Sequence, residues 1–135
     1  DDLLKDYELY LLRNADNKYR GLGFALAGNF YPDFLLWLVN KQTGQQYLTL
    51  VDPKGIRNMN HDDAKIEFYK EIKSIEAKLD HPDLILSSFI LSITPLKDIL
   101  NNSLSEDEFA EKNVLFMMGN GTAYLEQMLK KIFVQ

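Results

Sequence analysis

Two acidic residues and one lysine stand at the ends of two apolar segments. Asp33 directly precedes the apolar run 34–39, and Asp52 and Lys54 close the apolar segment that starts at residue 46. Side chains alternate between the two faces of a strand, so Asp52 and Lys54 share a face if the strand continues through Pro53. If the two segments form an antiparallel hairpin, the start of one lies beside the end of the other. We therefore expect Asp33, Asp52 and Lys54 to meet at one edge of a largely apolar sheet.

Such a cluster predicts metal-assisted chemistry. Buried charges are unfavourable unless they are paired or bind a metal. Two neighbouring carboxylates suit a hard divalent cation such as Mg²⁺ or Mn²⁺, and an ammonium group can position a water or stabilise developing negative charge. The chain has no cysteine and only two histidines, His61 and His81. This composition excludes thiolate chemistry and disfavours a metal site built on histidine alone.

The short patterns are weak alone, and their context selects one combination. Pro-Asp occurs twice, and an acidic residue two positions before a lysine occurs five times. One of the five triplets precedes both Pro-Asp pairs, and three fall in the long helix predicted over 62–79. Only Asp33 with Asp52-Pro53-Lys54 places both halves at strand ends and in order. The alternative is a structural ion pair at the edge of the sheet.

The periodicity of apolar residues predicts alternating helices and strands. The predicted helices cover 2–14, 62–79, a segment starting at Ser105 with capping-box spacing, and 122–134. The predicted strands cover 21–27, 34–39, 46–52, 84–93 and 114–118, and Thr94-Pro95 opens a short helical turn. This order predicts an α/β sandwich with a mixed central sheet.

These residues, in a setting of helix–strand–strand–strand–helix–strand, resemble the PD-(D/E)XK nuclease superfamily. Two segments are similar in sequence to the endonuclease domain at the C-terminus of type III restriction subunits and related helicase-linked nucleases. They are Asn29-Phe-Tyr-Pro-Asp-Phe34 and Val51-Asp-Pro-Lys-Gly55. Asp63-Ala-Lys-Ile-Glu-Phe68 is similar to the start of the helix that follows in those proteins. The closer resemblance covers mainly residues 29–79.

The resemblance implies a restriction-endonuclease-like α/β/α sandwich and a metal-dependent endonuclease that hydrolyses DNA phosphodiester bonds. It implies that Asp33, Asp52 and the carbonyl of Pro53 bind Mg²⁺, with Mn²⁺ as a substitute, and that Lys54 acts on the attacking water. Many members add an acidic residue from the first helix. Glu8 is the candidate, since a helix over 2–14 would place it at the edge of the apolar face.

Length and charge indicate a module of a larger system. The 135 residues suit one domain, 1–135, which we expect to be the C-terminal piece of a longer protein. A formal net charge of −5 argues against a free-standing nucleic-acid binder. The resemblance therefore implies a helicase or translocase domain in the same parent chain, a modification subunit, and DNA delivered by that assembly. Apolar runs are too short for a membrane span and no signal peptide is visible, so we expect a cytoplasmic protein without membrane contact.

Two other interpretations stay open. The first is a non-catalytic module with the nuclease fold that docks DNA or partners, which the net charge favours. The second is a small-ligand domain that uses the turn 119–122 before the last helix, because helix N-termini attract anions. Tyr31 and Trp37 could stack on bases, although the strand that holds Trp37 predicts a core position. His61 is expected in a surface loop.

Overall fold

Five strands form one mixed sheet, and its strand order follows the chain. The computed structural model describes residues 2–14, 32–60, 62–119 and 121–134. Within them the strands are β1 (Tyr7–Arg13), β2 (Phe34–Asn40), β3 (Gln46–Lys54), β4 (Leu84–Ser92) and β5 (Val114–Phe116). The first three strands are antiparallel neighbours, whereas β3, β4 and β5 run parallel. The class is therefore α/β with a mixed sheet, as predicted.

The helices are α1 (Ala64–Leu79), α2 (Glu106–Glu111) and α3 (Ala123–Phe133), and two short 3-10 helices cover Asp2–Leu4 and Leu96–Asp98. The Asp63 side chain caps α1 by accepting a hydrogen bond of 2.8 Å from the Lys65 amide. The capping box predicted at Ser105 is present, with both reciprocal bonds to Glu108. These caps satisfy amide groups that the first turn of a helix leaves without partners.

Helices α1 and α3 cover opposite faces of the sheet. Alternate residues of β3 separate the two cores, since Leu50 packs against Phe68 of α1, whereas Val51 belongs to the core that contains Met128 of α3. We call these the α1 face and the α3 face. Because the strands alternate, Asp33, Asp52 and Lys54 belong with Leu50 on the α1 face.

The prediction of a helix over 2–14 is wrong from residue 7 onward. Tyr7–Arg13 is β1, the outermost of the described strands, and it pairs with β2 along its whole length, from Tyr7 opposite Asn40 to Arg13 opposite Phe34. The spacing of Leu4, Tyr7 and Leu11 fits one helical stripe, but pairing with β2 satisfies the backbone, and tertiary pairing overrides local pattern. The predicted strand 21–27 and His61 lie outside the described residues.

The remaining predicted elements are confirmed with small shifts at their ends. The strands 34–39, 46–52, 84–93 and 114–118 and the helices 62–79 and 122–134 correspond to β2, β3, β4, β5, α1 and α3. Inside the described ranges, every helix is too short or too polar to cross a membrane.

Candidate active site

The hairpin of β2 and β3 brings Asp33 and Asp52 together. Phe34 lies opposite Val51, so the next positions in the antiparallel register are Asp33 and Asp52. The Asp33 amide donates a hydrogen bond of 3.2 Å to Oδ1 of Asp52. The predicted hairpin and the adjacency of the two acidic residues are therefore confirmed.

Two prolines explain why the hairpin opens at this point. Continuing the register beyond Phe34 and Val51 would place Pro32 opposite Pro53. Neither proline has an N–H group, so a hydrogen-bonded pair cannot form between them. The ladder ends two residues earlier, at the Phe34–Val51 pair, and the Asp33 amide donates to the Asp52 carboxylate instead.

Asn14, the residue after β1, holds the strand that carries Asp33. Its backbone amide donates to the carbonyl of Asp33 at 2.8 Å, and its side-chain amide donates to the carbonyl of Pro32 at 2.9 Å. Both contacts fix the backbone that enters the site. The sequence predicts Asn14 only as the last residue of the helix over 2–14, because its hydrogen-bond partners are 18 or more positions away.

Lys54 shares the face of Asp52, as the alternation of β3 predicts. Its Nζ lies 3.5 Å from Oδ2 of Asp52, and 24 % of its side chain is exposed. The Lys54 carbonyl accepts a hydrogen bond from Ile93, beyond the end of β4. Since backbone carbonyls alternate in direction along a strand, the Pro53 carbonyl points the opposite way, towards the gap that the end of the β2–β3 ladder leaves.

Burial dominates the electrostatics of Asp52. The residue is only 4 % exposed, and this desolvation raises the pKa of its carboxyl group above the usual value. The Lys54 ammonium and the Asp33 amide lower that pKa, whereas the negative charge of Asp33 raises it. The partners of Asp52 therefore do not fully offset the cost of burying its charge, and a further cation at this point would favour the ionised form.

The donor set fits a magnesium ion. Among the described residues, no three His, Cys, Asp or Glu side chains lie close enough together to surround a metal. Mg²⁺ is commonly held by only one or two carboxylates, and water and substrate phosphate complete its shell. Asp33 and Asp52 are neighbours in the register and influence each other electrostatically, so their two carboxylates could hold such an ion.

Glu8 does not join the cluster. It lies in β1 opposite Val39, at the other end of the hairpin from Asp33, and its Oε2 accepts a hydrogen bond of 2.6 Å from the Tyr10 hydroxyl. Its expected position rested on a helix over 2–14, and that helix is replaced by a strand. Glu8 therefore has no part in the site proposed below.

Trp37 is more exposed than the predicted core position would require. It belongs to β2, where Leu36 and Leu38 are buried on the α3 face and Trp37 is 39 % exposed on the α1 face. An apolar run on both faces of a strand predicts burial on both faces. Here α1 packs against β4 and, through Phe68, against Leu50 of β3. The exposure of Trp37 shows that this cover is incomplete at the middle of β2.

Two lysines of α1 form ion pairs within the helix, and two glycines before α3 have positive φ values. Lys70 and Lys73 pair within α1 with Glu67 and Glu76 at 3.3 Å each. Gly119 and Gly121 have φ values of 105° and 61°, as a tight turn before α3 requires. Thr122 precedes α3 without a capping bond from its side chain.

Comparison of the chain with protein families, with curated proteins and with solved structures finds no match.

Proposed function

We propose that this protein is a metal-dependent nuclease domain that hydrolyses phosphodiester bonds of DNA. The observation that carries the proposal is the buried carboxylate of Asp52. It accepts a hydrogen bond of 3.2 Å from the backbone amide of Asp33, and it lies 3.5 Å from the ammonium of Lys54. A buried carboxylate is seldom retained for stability alone, because a well-packed apolar replacement is often as stable or more so. A carboxylate with a perturbed pKa beside a specific charge partner is a candidate functional group.

Each residue has a role that follows from its position. Asp33 and Asp52 would hold Mg²⁺, or Mn²⁺ in its place, and the resemblance implies the Pro53 carbonyl as a third oxygen. The bound metal would supply a Lewis acid and a water of lowered pKa. Lys54 is anchored by Asp52 and partly exposed, so its ammonium can donate to the attacking water or to a phosphate oxygen.

The arrangement of the strands is consistent with a restriction-endonuclease-like α/β/α sandwich. Three antiparallel strands, a helix and a strand parallel to the third follow one another. This part of the order agrees with the resemblance, whereas β1 stands where the resemblance places a first helix. Asp33 directly precedes β2, and the Asp-Pro-Lys triplet forms the end of β3. The finer proposal is a cleavage module of a restriction or helicase-linked system, because a chain of net charge −5 lacks the basic surface of an independent DNA binder.

A plasmid-nicking assay with Mg²⁺ and with Mn²⁺ tests the proposal. The parent protein should convert supercoiled DNA to nicked or linear forms, and Lys54→Ala should abolish that conversion while leaving the fold intact. Lys78→Ala is the matched control, since Glu76-Ala-Lys78 is the same acid-x-Lys pattern on helix α1, and Lys78 is exposed. It should cleave like the parent.

An active Lys54→Ala protein, free of contaminating nuclease, would remove Lys54 from the mechanism. Cleavage that is insensitive to both Lys54→Ala and Asp52→Asn would contradict the proposed site. A parent protein that binds DNA and never cleaves it with either metal would favour the non-catalytic module.

A further inference from the structure

Two exposed aromatic side chains lie on the same face of the sheet as the proposed site. Tyr10 is 48 % and Trp37 39 % exposed, and they lie opposite each other on β1 and β2. Their ring centroids are 6.4 Å apart, with planes inclined at 59°. Leu12, also exposed, lies on the same face nearer to Asp33. We call Tyr10, Leu12 and Trp37 the aromatic platform.

The rings are held by their polar atoms, which leaves apolar ring surface exposed. Trp37 Nε1 donates to Oε1 of Gln46 at 3.1 Å, and the Tyr10 hydroxyl donates to Glu8 at 2.6 Å. A side chain fixed in this way loses little conformational entropy when a ligand covers it. Large exposed apolar surface on a monomer marks a binding site more often than chance.

The platform continues directly from the site. Side chains 33, 35 and 37 point to one face of β2, and four residues at about 3.3 Å per residue separate Asp33 from Trp37 by about 13 Å. That span corresponds to roughly four stacked nucleotides at about 3.4 Å each. A strand whose phosphate lies at Asp52 and Lys54 can therefore place a nearby base over Trp37.

Charge indicates which form of DNA fits. The net charge of −5 and Glu8 beside Tyr10 oppose attraction through phosphates alone, which duplex binding requires. Stacking on aromatic rings needs unpaired bases and tolerates any sequence. Resting on the proposed nuclease function, we infer that the substrate is single-stranded or locally unpaired DNA, whose bases stack on Trp37 and Tyr10.

The single tryptophan of the chain gives a direct test. Trp37 fluorescence is followed while an oligothymidylate of about 12 nucleotides is added to the full chain in EDTA, where no cleavage occurs. We expect saturable quenching. An oligonucleotide of the same length with abasic sugars keeps the phosphates and should not quench, and a duplex of that length should bind at least about tenfold more weakly.

Variants separate stacking from damage to the fold. Measured by anisotropy of a labelled oligonucleotide, Trp37→Ala should weaken binding about 5- to 150-fold, the range for loss of one stacked base, and Trp37→Phe should restore most of it. Leu11→Ala is the matched control, because Leu11 is an exposed residue of β1 on the α3 face. It should bind like the parent, and melting curves check that all variants fold.

Three results would overturn the inference. They are equal binding of abasic and normal oligonucleotides, equal binding of duplex and single strands, and a dimer that forms through this face and dissociates in Trp37→Ala. Cleavage assays keep the two proposals apart. Cleavage without stacking contradicts only the platform, whereas stacking without cleavage by Mg²⁺ or Mn²⁺ contradicts the nuclease function.

Discussion

Asp52 and Glu67 are both carboxylates with a lysine partner, and their pKa values shift in opposite directions. Lys112 donates to Glu67 at 2.8 Å and Lys70 lies 3.3 Å from its other oxygen. The bond from Lys112 is the main reason why the pKa of Glu67 falls below its usual value. Asp52 has one lysine, at 3.5 Å, and burial raises its pKa.

The difference separates Glu67, a structural ion pair, from Asp52, a carboxylate whose negative charge is not fully compensated by its neighbours. Glu67 lies on the partly exposed side of α1 and connects it to Lys112, the C-cap of α2. Its charge is stabilised by cations already present. The ionised form of Asp52 is disfavoured in the folded protein, and a divalent cation would reverse that.

The largest expected difference is in cleavage. Asp52→Asn removes a charged oxygen from the proposed metal site and should lower the rate about 100-fold or more, the scale for loss of one electrostatic group in an active site. Glu67→Gln leaves that site untouched and should stay within about threefold of the parent. Initial rates of plasmid nicking under equal Mg²⁺ measure both. Similar losses in the two variants would mean that Asp52 acts only through the fold.

Metal binding should distinguish the two carboxylates next. For a site with a Kd of about 1 mM, about 10 mM Mg²⁺ adds roughly 1.4 kcal/mol to the free energy of unfolding. In a domain of this size, that is a rise in Tm of roughly 4–8 °C. Thermal melting should show this rise in the parent and in Glu67→Gln, and no rise in Asp52→Asn. A parent protein whose Tm ignores both Mg²⁺ and Mn²⁺ would leave Asp52 as a structural ion pair.

The part of the site that is formed by two strands adjacent in sequence could be predicted from the sequence. The part that depends on strand pairing between residues far apart in sequence could not. The lengths of two apolar runs and the connection between them were enough to place Asp33 beside Asp52. The position of Glu8 depended on whether residues 2–14 form a helix. Their apolar residues fit both the helical period of 3.6 residues and the strand period of two. Pairing with β2 decides for the strand, and that partner lies more than 20 residues away in sequence. The exposure of Trp37 likewise depends on how far α1 extends over the sheet, which the sequence around Trp37 does not show.

The third difference is in metal-free stability at neutral pH. Asp52→Asn keeps an oxygen for the Asp33 amide and removes a poorly compensated charge, so it should match the parent or exceed it by up to about 1 kcal/mol. The raised pKa means that the folded protein holds this proton more tightly than the unfolded chain. Stability of the parent therefore falls as pH rises from the unfolded value of about 3.9 through the raised folded value.

Urea unfolding in EDTA at several pH values checks this dependence. The advantage of Asp52→Asn should be present at pH 7 and should shrink towards zero near the unfolded pKa of about 3.9. A variant that is clearly less stable than the parent at pH 7 would show that the ion pair with Lys54 outweighs the desolvation of Asp52.

The smallest expected effect, at Glu67, has the opposite sign and pH dependence. Glu67→Gln loses its charge partners Lys112 and Lys70, and because the group is partly exposed the cost at pH 7 should be only about 0.5–1 kcal/mol. A lowered folded pKa contributes stability that is present above the unfolded value of about 4.3 and is lost as pH falls through the folded value. The same urea series should therefore show Glu67→Gln less stable than the parent at neutral pH and equal to it in acid. Parallel pH profiles for Glu67→Gln and Asp52→Asn would mean that the two carboxylates are the same kind of ion pair, and the contrast between a structural pair and a metal site would fail.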